Sequence, residues 1–81
     1  MRVTVRLFAR LRELAGTGEI PAEVPEAATI AAVWDEVVRR HPPLAGHARA
    51  IACARNARHA RSDTPVAEGD EIAFLPPVSG G

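Results

Sequence analysis

The sequence predicts one α+β domain in which a single main helix crosses one face of a sheet. Three observations carry this: a period-two run at the start of the chain, another near its end, and one long helical stripe between them. The order along the 81 residues reads strand, strand, helix, strand, short strand, strand. A chain of this length holds one domain, and its small core needs most of its hydrophobes inside.

In the first run Val3, Val5 and Leu7 alternate with Arg2, Thr4, Arg6 and Phe8, as in a half-buried strand. From Ala9 to Ala15, Leu11, Leu14 and Ala15 recur at helical spacing, and Gly16-Thr17-Gly18 ends that turn. Glu19 to Val24 reads as a second strand, with Ile20 and Ala22 alternating with Glu19 and Glu23. Pro21 places it at an edge, because proline has no N–H to give a ladder.

The main helix has Ile30, Val33, Trp34, Val37 and Val38 at i, i+3, i+4, i+7 and i+8. Thr29 is its predicted N-cap, Arg39 and Arg40 suit the negative end of its dipole, and His41-Pro42-Pro43 stops it. The stripe reads as core rather than as a partner groove, since so small a domain has few other hydrophobes to bury.

Ala50 to Ala54 reads as a weakly marked strand, alanine being a poor strand former, and Asn56 as a turn residue. Ser62-Asp63-Thr64-Pro65 and Glu68-Gly69-Asp70 are turn clusters on either side of Val66. The last strand, Glu71 to Leu75, puts Ile72 and Phe74 on one face and Glu71, Ala73 and Leu75 on the other. Pro76-Pro77 ends it.

Composition narrows the function. With 47% hydrophobic and 25% charged residues and zero formal net charge, the chain reads as globular, without the basic stripe or acidic block that nucleic acid or a membrane surface would select. Neither a signal-type apolar run nor a stretch of membrane-spanning length is seen, so a cytoplasmic setting is expected. Cys53 is the lone cysteine and reads as a small buried hydrophobe rather than a sulfur relay. His41, His47 and His59 show no metal-ligand or nucleophile–base spacing. All ten basic residues are arginine, so no side-chain amine is present for a Schiff base or an isopeptide bond. Arg49, Arg55, Arg58 and Arg61 form a modest basic cluster that reads as solvated surface.

The expected division is a domain over residues 1–75 and an extended tail over 76–81. Beyond Pro76-Pro77 stand only Val78, Ser79, Gly80 and Gly81, and the segment from Pro76 spans about 20 Å when extended. Gly80 and Gly81 carry no side chains and suit a channel too narrow for other residues. The prolines restrict the base of the tail and lower the entropy lost on capture. The expected reactive group is the Gly81 carboxylate, a poor electrophile until an ATP-dependent partner makes it an acyl-adenylate. A sulfur nucleophile then gives a thiocarboxylate, and a thiol or amine gives a thioester or amide.

The run Phe74-Leu75-Pro76-Pro77-Val78-Ser79-Gly80-Gly81 resembles the C-terminal signature of the molybdopterin synthase small subunit family, which are ubiquitin-like sulfur carriers. Glu68-Gly69-Asp70-Glu71-Ile72-Ala73 matches that family's turn into its last strand, and Leu7 to Gly16 resembles its first strand and helical turn. Thr29 to Val38 fits its main helix. Arg55 to Ala60 keeps the turn asparagine, with flanks more polar and basic than the family's pattern. The resemblance implies a β-grasp fold and adenylation of Gly81 by an E1-like adenylyltransferase, followed by thiocarboxylate formation. It further implies docking into the large synthase subunit, two small with two large, to supply sulfur to cyclic pyranopterin monophosphate. ATP and the pterin would belong to those partners, with no cofactor held by this chain.

In such a sheet the first and last strands are neighbours, so Phe8 and Leu75 should share an exposed apolar patch at the base of the tail. Arg12 is a candidate rim contact, and Pro76 and Pro77 mark where the tail leaves. Three other functions remain open: a sulfur carrier for thiazole or cysteine synthesis, a protein modifier, and a plain binding module with an inert tail.

Overall fold

The computed structural model describes residues 1–47 and 51–76. Its strands are Arg2–Leu7 (β1), Glu19–Glu23 (β2), Ala52–Arg55 (β3), Arg58–Ala60 (β4) and Glu71–Leu75 (β5), and its helices are Ala9–Ala15 (α1) and Ile30–Arg40 (α2). The strands form one mixed sheet in the order β2-β1-β5-β3-β4. β1 pairs with β2 and β3 with β4 as antiparallel hairpins. β5 joins them, parallel to β1 and antiparallel to β3. This is the β-grasp arrangement.

Period-two alternation decides which face is covered. Val3, Val5, Leu7, Ile20, Ala22, Ile72 and Phe74 are all buried, and the α2 residues Ile30, Val33, Trp34 and Val37 lie against them. Trp34 meets Phe74 edge-on with ring centroids 4.9 Å apart. Val38 packs on the rim of the same core. The stripe is thus core, as its spacing indicates, and each large side chain removed from water contributes about 1.5–3 kcal/mol.

Both ends of α2 are closed by polar contacts. Thr29 accepts from the Ala32 N–H at 3.4 Å, while the Ile30 and Ala31 N–H groups donate to the Thr64 and Ser62 carbonyls. At the other end the His41 N–H reaches the Val37 carbonyl, and Pro42–Leu44 forms a single 3-10 turn. That turn buries Leu44 completely, a contribution to the core that the proline stop signal conceals. β2 is an edge strand, as Pro21 indicates.

The second half of the sheet departs from the sequence reading. The third strand is described over Ala52–Arg55 rather than Ala50 to Ala54, of which Ala50 lies outside the described residues. The short strand is Arg58–Ala60, and Val66 is a buried loop residue whose N–H donates to the Ala28 carbonyl. Asn56 and Ala57, with φ of 51° and 69°, make the two-residue turn that closes the Arg55–Arg58 pair.

Arg55 is also not the solvated arginine that its composition class suggests. Its Nε donates to the buried Asp70 carboxylate at 2.5 Å. Asn56 Nδ2 and the Ala67 N–H donate to the same carboxylate at 3.0 and 2.7 Å. Burial acts to raise the Asp70 carboxyl, but these hydrogen bonds and the Arg55 charge outweigh it and hold the group below its ordinary value.

Candidate functional site

The functional question centres on where β1 and β5 end side by side. Their register places Leu7 against Phe74, and one further step sets Phe8 beside Leu75. Parity turns both away from the core. Phe8 is 39% exposed and Leu75 37%, and they are the exposed large hydrophobics among the described residues. The two leave an exposed apolar surface at the exit of β5. Register partners Ala52 (of Leu75) and Ala54 (of Ala73) extend it as a shallow floor of small side chains.

The chain around Phe8 explains its pose. Phe8 is extended and acts as the N-cap of α1, its carbonyl accepting from the Leu11 and Arg12 N–H groups. Ala9 follows at φ 51°, a left-handed conformation that turns the chain sharply off the sheet. Arg6 lies over the Phe8 ring, 5.7 Å from its centroid, and also pairs with Glu71 at 3.5 Å and Glu19 at 3.9 Å. Such a cation–π contact at an exposed site is worth about 0.5–1 kcal/mol. Arg6 was missed by the sequence reasoning. The signal was its i, i+2 relation to Phe8, which puts both on one face of β1.

Arg12 is exposed, and among the described residues it forms no ion pair. Its Cδ and Nε lie 3.3 Å from where a Cβ on Gly18 would stand, so that glycine makes room for the arginine stem. Pro76, half-buried, follows Leu75 directly. Pro77, Val78, Ser79, Gly80 and Gly81 lie outside the described residues.

Cys53 belongs to the other face. It stands opposite Phe74 and Ala60 on the helix side, and burial pushes its thiol up. Among the described residues no cluster of His, Cys, Asp and Glu has the makings of a metal site, and no helix is long and apolar enough to cross a membrane. What the exposed face offers is an apolar contact surface beside Arg6, which is paired with Glu19 and Glu71, and Arg12, which among the described residues forms no ion pair.

A β-grasp sheet bearing an apolar pair at the exit of its last strand defines a ubiquitin-like protein. Residues 5–81 match the ThiS family, and the chain belongs to it. It is similar to the molybdopterin synthase sulfur carrier subunit of Arabidopsis thaliana, 33% identical over all of this chain and 84% of that protein. It is also similar to small archaeal modifier protein 1 of Haloferax volcanii, 36% identical over 94% of this chain and 97% of the other. The crystal structure of that Haloferax volcanii protein superposes with a TM-score of 0.86 at 32% identity, covering 95% and 98% of the two chains.

Proposed function

We propose that this chain is the sulfur carrier subunit of a molybdopterin synthase, with Gly81 as its working residue. The observation that carries the reading is a family match that includes the whole run from Phe74 to Gly81. The names of relatives matched over all of this chain support the pathway. An E1-like adenylyltransferase binds the Phe8–Leu75 face, with Arg12 at its rim, and receives the tail. A Gly81 carboxylate oxygen attacks the α-phosphorus of that partner's ATP, and pyrophosphate leaves. Hydrosulfide from the sulfur source then attacks the acyl-adenylate carbon and AMP leaves, so the carboxylate becomes a thiocarboxylate. The loaded tail passes through Val78, Ser79 and Gly80 into the large subunit, in a tetramer of two small and two large chains, and gives its sulfur to cyclic pyranopterin monophosphate. The carrier supplies the platform and the thread, and its partners supply the catalytic groups and the ATP.

The test is incubation with a cognate activating enzyme, ATP and a sulfur source, followed by intact-mass analysis and addition of the large subunit with its pterin substrate. Replacement of one oxygen by sulfur at Gly81, followed by dithiolene formation, is the expected result. Deletion of Gly81 should abolish transfer with the melting temperature unchanged, and transfer persisting in that variant would sink the mechanism.

A second reading, attachment to other proteins as a modifier, is favoured by the similarity to small archaeal modifier protein 1. The 81 residues contain no lysine, so lysine-linked chains of this protein on itself are excluded. Conjugates of higher mass that appear in cell extract with ATP and vanish on deletion of Gly81 would mark this reading.

A further inference from the structure

The two edges of the sheet are unlike. The β2 edge is guarded: Pro21 has no N–H to offer, and Arg40 Nη1 donates to its carbonyl at 2.6 Å. The β4 edge is open. Among the described residues, no hydrogen bond outside the ladder with β3 involves the backbone of Arg58, His59 or Ala60.

Behind this edge, between β4 and α2, lies a cleft of about 520 Å³. Ile30, Ala31, Trp34, Ile51, Cys53 and Ala60 supply its apolar walls. β4 and the residue that follows it, Arg58-His59-Ala60-Arg61, carry two arginines and no acid. Among the described residues Arg58 has no ion-pair partner, and Arg61 has one long contact, 3.6 Å to an exposed Asp63. Asp35 is the one acidic residue on the cleft's lining.

We propose that β4 is a docking edge for an acidic, extended peptide segment of a partner protein. The segment adds to the sheet as a further strand and sends alternate apolar side chains into the cleft. Each feature selects part of this occupant. An unpaired strand edge recognises extended backbone, a cleft alongside it takes every second side chain, and the unpaired arginine calls for carboxylates. A second copy of this chain fits poorly, because β4 paired on β4 would crowd four arginines into one short ribbon. Trp34, Cys53 and Phe74 put the floor of the cleft on the helix side of the sheet, and Ala52, the register partner of Leu75, brings its lining to the rim of the Phe8–Leu75 face. This inference does not depend on which acceptor receives the sulfur.

The experiment is a titration of the isotope-labelled full chain with the synthetic peptide Asp-Asp-Val-Ile-Val-Ile-Asp-Asp, followed by NMR. Amide shifts are expected at Ala31, Asp35, Cys53 and Arg58 to Arg61 and not at Phe8 or Leu75, with a Kd on the order of 100 μM. The double variant R58E/R61E should weaken binding about tenfold or more, as loss of two exposed charge pairs implies. Ala31→Gln, which narrows the cleft mouth from an exposed helix position, should weaken it without moving the melting temperature. Three results would overturn the proposal: no shifts at about 1 mM peptide, shifts centred on Phe8 and Leu75, or equal binding of a peptide with lysine in place of each aspartate. Saturable binding of a single-stranded oligonucleotide to these residues, with none of the peptide, would overturn it as well.

Discussion

Asn56 and Glu71 are hydrogen-bonded twice, in opposite directions. The Asn56 N–H donates to the Glu71 carbonyl at 2.8 Å, and the Glu71 N–H donates to Asn56 Oδ1 at 2.9 Å. Asn56 Nδ2 reaches Asp70 as well, so one turn residue pins the β3–β4 hairpin to the start of β5. Asn56→Ala should cost about 1–3 kcal/mol in urea unfolding. Asn56→Gly removes the left-handed strain at φ 51° but not the lost bonds, and should recover only part of that cost. Full recovery by glycine would show that backbone conformation alone sets the value of the site.

Acid should attack the same junction. The folded Asp70 carboxyl lies below its ordinary 3.8, so its contribution to stability is complete above the unfolded carboxylate range and is lost as pH falls below about that value. The melting temperature of the native chain should therefore fall through this window. Asp70→Asn should melt lower at neutral pH and show a flatter profile on acidification.

The turn itself leaves room for improvement. Ala57 sits at φ 69°, where an L-residue is strained by about 1–2 kcal/mol, and glycine relieves this at some entropic cost. Ala57→Gly creates the Asn-Gly pair that two-residue hairpins prefer and should stabilise the chain by about 0.5–1 kcal/mol in guanidinium unfolding. Ala57→Val should do the opposite.

Cys53 offers a check on the sulfur chemistry. Burial and a raised thiol pKa predict that a thiol reagent labels the native chain far more slowly than the unfolded one. Cys53→Ala should cost about 1–2 kcal/mol through lost packing and leave sulfur loading of Gly81 intact. Loss of loading in a folded Cys53→Ala chain would restore the relay role that the geometry disfavours.

Phe8→Ser should separate docking from folding. The ring is largely outside the core, so its removal should cost less than about 1 kcal/mol of stability. Binding to the activating enzyme or the large subunit should weaken about tenfold or more, as for an interface anchor. Global unfolding of the variant would identify Phe8 as structural.

Much of this was legible in the sequence, for physical reasons that differ by element. Val3, Val5, Leu7, Ile72 and Phe74 announce their faces because a strand alternates, and Pro21 announces an edge because it lacks a donor. Those two rules also place Phe8 and Leu75 on the open face. Arg55 was illegible because its partner Asp70 lies fifteen residues away and the pairing depends on register. β4 was obscure because a three-residue polar edge strand buries too little to imprint a hydrophobic period. Leu44 was hidden by the prolines before it, which signal the end of one helix and equally start a 3-10 turn.

Among the described strands, β5 alone pairs with both hairpins. Until residues 71–75 have been synthesised, β1–β2 with its helix and β3–β4 are unjoined, and the two-stranded β3–β4 ribbon is marginal at best in water. Folding is therefore a late event, dominated by contacts between the two ends of the chain, and a copy truncated before β5 presents bare apolar faces to chaperones and proteases. A folded copy thus certifies that the strand leading into the tail has been made. Quality control of the fold and integrity of the segment preceding the proposed reactive residue are checked by the same strand.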